Sequence, residues 1–193
     1  MAGTEKKYPT VNAMESELNR IRYKKRYRGV LRSTLAVLVV VAALAALIAL
    51  LWIPVLQIYG NSMTPTIREG EVVVAVKGSE FEAGDIIAFY YGNKILVKRY
   101  IAGPGDWVNI TEDGTVYVNE VELDEPYISE KAYGDVNIEF PYQVPDDRIF
   151  VLGDHRETSV DSRNTAVGNV SKEQIVGKVI FRIWPLNKLG IID

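Results

Sequence analysis

The chain has 193 residues, 48% of them hydrophobic, with 22 Lys or Arg against 25 Asp or Glu and a formal charge of −3. With 15 Gly, 8 Pro and no Cys the composition is neither collagenous nor disordered, and disulfide scaffolds and cysteine-ligated zinc sites are excluded. A single His leaves little for any other transition-metal site, so no metal is expected, and the mildly acidic balance argues against nucleic acid as the main partner.

That average hides a segregation. Residues 1–32 carry nine Lys or Arg against three acids, a net +6, and the remaining residues carry −9. Between them residues 35–53 form nineteen consecutive apolar positions inside an uncharged run from 33 to 67. As a helix this stretch is about 28 Å long, close to the hydrocarbon thickness of a bilayer. It is longer than the apolar region of a cleavable signal, which spans about 7 to 15 residues, and it has no polar face of the kind a soluble helix keeps. Three parts are therefore expected: a basic cytoplasmic segment (1–32), a transmembrane helix (33–54) and an extracytoplasmic domain (55–193). The basic cluster Lys24, Lys25, Arg26, Arg28 and Arg32 sets the orientation by the positive-inside bias. Trp52 fits an interfacial anchor, and Pro54 cannot continue the helical hydrogen bonding.

Beyond Pro54 the pattern changes to short β-branched and aromatic runs punctuated by Gly, Asn and Asp. Strands are expected at 72–76, 86–91, 94–101, 107–110, 115–118, 148–152 and 176–184, with a short helical turn at 171–175. Gly92-Asn93 suits a two-residue type II′ hairpin between the second and third of these. One mainly antiparallel β domain is the economical reading. Asp124-Glu125 and Asp146-Asp147 read as solvated loop charge, and the acceptor triplets at Asn109 and Asn169 as chance matches to a short pattern.

Three polar blocks stand out: Gly60-Asn61-Ser62-Met63-Thr64-Pro65-Thr66; Lys98-Arg99 followed by Ala102-Gly103-Pro104-Gly105-Asp106; and Gly153-Asp154-His155-Arg156-Glu157-Thr158-Ser159-Val160-Asp161-Ser162-Arg163. Each alone is an ordinary turn or loop. In this order behind an N-terminal apolar span they resemble the bacterial type I signal peptidases, the membrane-bound serine proteases with a Ser-Lys dyad that remove signal peptides from exported preproteins. The resemblance covers residues 58–184. It implies a signal-peptidase and repressor-protease-like antiparallel β fold, no cofactor, and a plasma-membrane location with preprotein signal peptides and membrane lipid as partners. Position by position it implies Ser62 as nucleophile, Lys98 as general base, Ser159 as the residue orienting the lysine, Asp161 with Arg163 as a supporting pair, and Asp154 as the acid opening the third block. An ion pair between Arg99 and Asp154 is a further expectation.

The chemistry such a dyad needs can be stated independently. A serine hydroxyl requires a neighbouring base, whereas a free lysine, with a pKa near ~10.4, is protonated at neutral pH. Burial disfavours the ammonium and lowers that value, and the lysine's partner must be a neutral hydroxyl, because a carboxylate would restore the charge. Alternation along 94–101 places Lys98 with Lys94, Leu96 and Tyr100, a mixed face from which burial does not follow. The Ser62 backbone N–H is the natural oxyanion donor. Gly60 stands where Gram-negative members have a serine supplying a second donor; this is the Gram-positive pattern, and the second donor stays open. His155 replaces the usual Asn of the third block and reads as a hydrogen-bonding loop residue. Competing readings are a specialised peptidase for pilins or another narrow substrate set, the self-cleaving repressors, whose DNA-binding portion has no room here, and a non-catalytic membrane-anchored β binding module. The resemblance also implies cleavage after small residues of the Ala-x-Ala type, a preference that shallow apolar subsites would explain.

Overall fold

A computed structural model describes residues 11–192; the first ten residues, with Lys6 and Lys7 of the basic segment, and Asp193 lie outside the described part. The chain divides into two compact units, residues 1–50 and 51–193.

The described residues of the first unit lie in one α-helix, α1 (Val11–Trp52), of 42 residues and so roughly 63 Å long. It starts well before the apolar run. Residues 15–28 are mostly good helix formers, and Glu17 accepts a hydrogen bond from Arg20 one turn on, at 3.1 Å, so the charged stretch continues the helix instead of preceding it. Its apolar side chains, from Leu35 to Ile48 among the described ones, are exposed. The segment Met14–Ile48 is long and apolar enough to cross a membrane.

The second unit is built, among the described residues, from twelve strands in two antiparallel sheets. The larger contains β1 (Val55–Gln57), β2 (Val72–Val76), β3 (Ile86–Tyr91), β4 (Lys94–Ala102), β9 (Arg148–Leu152), β10 (Val170–Ser171), β11 (Ile175–Trp184) and β12 (Gly190–Ile191), ordered β1-β2-β11-β3-β4-β9-β10 with β12 beside β11. The smaller contains β5 (Trp107–Ile110), β6 (Val116–Val118), β7 (Val121–Glu122) and β8 (Tyr142–Gln143), ordered β7-β6-β5-β8. The expected strands are all present, and a 3₁₀ turn at Lys172–Gln174 follows Ser171. The additional strands are two or three residues long, too short to show a periodicity. In the β3–β4 hairpin only Gly92, at φ 57°, takes a positive φ, as the first central position of a type II′ turn requires.

Three apolar clusters hold this unit together, and β3 and β9 each serve two of them. Ile86 and Ala88 join Met63, Ile67 and Val73 in one cluster; Ile87 and Phe89 join Ile149 and Val151 in another. Phe150 and Leu152 pack with Val108, Ile110 and Val116, which fixes the small sheet against the large one. Strands buried on both faces lose the polar alternation of a solvent-facing sheet, and β4, lying between β3 and β9, inherits this setting.

Candidate active site

Ser62 lies in the turn that leaves β1. Hydrogen bonds from Ile58 N to Glu71 O and from Gly70 N to Ile58 O, both 2.9 Å, close the base of this excursion, and the bond from Ile67 N to Met63 O at 2.8 Å tightens its middle. Met63 and Ile67, 2% and 0% exposed, anchor it in the core beside Ser62, which remains partly exposed. The Ser62 carbonyl accepts from His155 N at 3.0 Å, tying the first block to the third, while the Ser62 backbone N–H donates to no acceptor among the described residues.

Lys98 is 3% exposed although its own strand does not predict it. The dryness comes from the neighbours: the register pairs Lys98 with Ile87, itself fully buried. Its Nζ donates to the Ser159 hydroxyl at 2.9 Å. Burial is the largest influence on the amine; Asp161 and Asp154 pull its pKa up, Arg163 pushes it down, and the net result is a value lowered from 10.5 to about 8. Among the described residues no hydrogen bond joins the Ser62 hydroxyl to Lys98. Contacts of this kind commonly tighten only when substrate is bound.

Ser159 is fully buried, and its N–H donates to His155 O at 3.1 Å. Gly153, one residue beyond the Arg99–Leu152 pair of the β4–β9 register, makes the approach of the two serine loops possible. A Cβ there would fall 2.1 Å from Ser159 Oγ and 2.6 Å from the Ser62 carbonyl oxygen, so only glycine fits. The Ser159 hydroxyl and the Ser62 carbonyl thus meet at one glycine, and Lys98 joins them through its bond to Ser159.

The acids take other partners. Asp154 receives Arg99 Nε at 2.9 Å and Nη2 at 2.7 Å, together with the Thr66 hydroxyl at 2.5 Å. Asp161 Oδ1 receives Arg163 Nε at 2.8 Å, and its Oδ2 receives Arg163 Nη2 at 2.9 Å and Gly153 N at 3.0 Å. Both expected pairs are present, bidentate and buried. His155 Nδ1 lies 2.8 Å from the Thr158 hydroxyl, a local loop contact.

Glu125 corrects an expectation. It is not solvated loop charge: its side chain is 1% exposed and forms a two-pronged pair with Arg156. Arg156, Tyr127, Thr66 and Gly153 are further site residues with no individual signal in the sequence. Arg156 was visible only as part of the third block, and the depth at which Glu125 lies depends on a fold that sequence spacing does not reveal. No group of three His, Asp or Glu residues is arranged to hold a metal ion among the described residues.

Beside Ser62 lies a cavity of about 100 Å³ walled by Leu56, Ile58, Met63, Ile95 and Val97. It is small, and Gln57, Tyr59 and Ser62 add polar groups to its mostly apolar lining.

The sequence matches the family profile described as signal peptidase, peptidase S26, over residues 31–184. It is 36% identical over 173 residues to Signal peptidase I of Bacillus licheniformis, covering 81% of this chain and 90% of that one. It is 35% identical over 151 residues to the chloroplastic thylakoidal processing peptidase 1 of Arabidopsis thaliana, covering 69% of this chain but spanning only 43% of that longer relative. A crystal structure of a signal peptidase I from Enterococcus faecalis V583 aligns at 31% identity with a TM-score of 0.45, covering 52% of this chain and 97% of the other. A profile matched over most of the chain and a bacterial relative matched over nearly its full length place the chain in the signal peptidase family, peptidase S26.

Proposed function

We propose that this member of the signal peptidase family removes signal peptides from exported preproteins as a membrane-anchored serine endopeptidase, with Ser62 as nucleophile and Lys98 as general base. The observation that carries the assignment is the state of Lys98: a buried amine with a hydroxyl as its side-chain hydrogen-bond partner and a pKa drawn down to about 8, within reach of operating pH.

Neutral Lys98 accepts the Ser62 proton as Oγ adds to the scissile carbonyl carbon. The new oxyanion takes a hydrogen bond from the unpaired Ser62 N–H. Collapse breaks the C–N bond, the leaving amine takes the proton from the Lys98 ammonium, and an ester on Ser62 remains. Water, deprotonated by Lys98, adds to that ester; the second collapse returns the proton to Ser62 Oγ and releases the signal peptide with a free carboxylate. Ser159 holds the Nζ in place throughout without supplying a charge that would keep it protonated.

The small, mostly apolar cavity beside Ser62 supports cleavage after small residues of the Ala-x-Ala type. β1 is an edge strand, so one side of its main chain is available to an extended substrate. In the proposed topology the basic residues before 33 are cytoplasmic, residues 33–54 span the plasma membrane among its lipids, and residues 55–193 lie outside. The chain has no native Cys, so single cysteines placed in the basic segment, at Ser16, and in the β domain, at Glu157, report the orientation by labelling of intact cells with an impermeant maleimide. Labelling at 16 instead of 157 would reverse the topology.

The catalytic test is cleavage of an Ala-x-Ala preprotein by Ser62→Ala and Lys98→Ala variants, with loss of about 10³-fold or more expected for each. Wild-type kcat/KM should rise with pH through about 8 as Lys98 of the free enzyme loses its proton. A flat profile from about pH 6 to 10, or activity retained in either variant, would overturn the dyad.

A further inference from the structure

Outside the dyad, the most deeply buried acid unaccounted for is Glu125, in the segment that follows β7. Both its oxygens are engaged: Oε2 accepts from Arg156 Nη1 at 2.9 Å, and Oε1 accepts from Arg156 Nη2 and from the Tyr127 hydroxyl, the latter at 2.9 Å. Burial, and next the Glu125 charge, push the Tyr127 phenol well above its ordinary pKa, so it stays a donor. Arg156 passes the restraint on. Its Nε donates to the Gly153 carbonyl at 3.1 Å, and Gly153 is the residue whose missing Cβ lets Ser159 and the Ser62 carbonyl meet.

The same segment reaches the other two buried arginines. The Tyr127 ring lies 3.7 Å from the Arg99 guanidinium carbon, and the Tyr133 carbonyl accepts from Arg163 Nη1 at 2.8 Å. Arg99 adjoins Lys98 in sequence, and Arg156 and Arg163 flank Ser159. One segment attached to the small sheet therefore touches every buried arginine bordering the dyad. We propose that Glu125 is a positioning residue for the peptidase reaction, acting through Arg156 on the Gly153 carbonyl and so on the mutual placement of Ser62, Lys98 and Ser159.

The proposal rests on the reading of Ser62 and Lys98 as the reacting pair. A merely stabilising ion pair behaves differently: a buried pair can often be exchanged for apolar side chains of similar size without loss, whereas a positioning pair fails when the Arg156 to Gly153 bond goes. Two variants of the full chain separate these cases. Glu125→Gln removes the charge and keeps the shape; Glu125→Met with Arg156→Met removes both charges and the Gly153 bond while filling the volume. Each is assayed in detergent on an Ala-x-Ala peptide, with active sites counted by a reagent that acylates Ser62, so that unfolded molecules do not enter kcat. In both, kcat per active site should fall roughly tenfold with KM within about twofold, and in Glu125→Gln the acid limb should move to lower pH, because the uncompensated Arg156 charge disfavours the Lys98 ammonium.

A fall of less than threefold in either variant, or a loss confined to KM, overturns the proposal, including the case in which the double variant is normal and only the charge matters. If both variants fail to fold, Tyr127→Phe, which removes one hydrogen bond to Glu125, serves instead: a fall in kcat per active site supports the proposal and an unchanged kcat and pH profile overturns it. Ser62→Ala run in parallel separates the two readings. Continued cleavage there sinks the dyad itself, while a dead Ser62→Ala beside fully active Glu125 variants sinks only the positioning role.

Discussion

Lys98 and Arg99 are consecutive on β4, 3% and 2% exposed, and sit in opposite electrostatic settings. Arg99 meets the two oxygens of Asp154, whereas Lys98 meets a hydroxyl. A guanidinium cannot shed its proton, so its burial is tolerable only with an anion. An amine can, and burial without a contacting anion drives it to do so. Carboxylates are not kept away from the lysine. Asp154 and Asp161 both act on Lys98 to raise its pKa, yet each is already committed to an arginine, and Arg163 pushes the other way. The lowered pKa of the lysine thus comes from pairing off the surrounding charges, with burial left as the deciding influence.

The largest effect on stability is expected among the arginines. Asp161→Asn strips the counter-charge from Arg163, whose side chain is fully buried, and weakens the acceptor of Gly153 N. Removing one partner of a buried pair typically costs about 3–5 kcal/mol, to be read from urea unfolding of the full chain in detergent. A loss below about 1 kcal/mol would mean that the arginines are not the demanding cations described above.

For the lysine the sign reverses. In the unfolded chain the amine titrates near its ordinary 10.5, in the folded one near about 8. Below pH 8 both states are protonated and the folded state bears the whole cost of a buried ammonium; the cost shrinks between 8 and 10.5 and is absent above. The gap is worth about 3 kcal/mol, and loss of the Ser159 bond returns about 1 kcal/mol. Lys98→Met should therefore be inactive yet more stable than wild type by about 2 kcal/mol at pH 7, an advantage that shrinks above pH 8 and reverses toward pH 11, where only the lost Ser159 bond, about 1 kcal/mol, remains. A variant less stable at pH 7 would show that Lys98 is not strained by its pocket.

How much of this was legible in the sequence depends on the range of the interaction. The strands of β2, β5 and β9 follow from β-branched runs and turn residues, both local signals. The Lys98–Ser159 hydrogen bond and the His155 link between the two serine loops join residues that the three ordered blocks single out, and the pairs Arg99–Asp154 and Asp161–Arg163 come with them. The burial of Lys98 was not legible, because the alternation of β4 itself does not carry it and its side-chain partner Ser159 comes from a segment 61 residues away. Glu125 was misread as solvent-facing for the same reason: its partner Arg156 is 31 residues away, and a run of acids in a loop carries no mark of which one turns inward. The charged half of α1 is a different case. The change from charged to apolar residues at 33 marks where a bilayer would begin, whereas helix propensity runs on unbroken through the basic stretch before it.

The smallest effect is expected at His155, where the backbone does the joining and the side chain stands aside. This residue links the two serine loops by its main chain: its N–H donates to the Ser62 carbonyl and its carbonyl accepts from Ser159 N, at 3.0 and 3.1 Å. Among the described residues the imidazole's only hydrogen-bond partner is the Thr158 hydroxyl, at 2.8 Å, within its own loop. Replacing it by Ala leaves both main-chain bonds possible and removes one partly exposed hydrogen bond, worth about 1 kcal/mol or less. His155→Ala should therefore keep kcat/KM within about twofold and lower stability only slightly, without altering the shape of the pH profile. Should the profile change shape, with a limb present in wild type and missing in the variant, the imidazole would have to take part in proton transfer, and Lys98 could no longer be the sole base of the reaction.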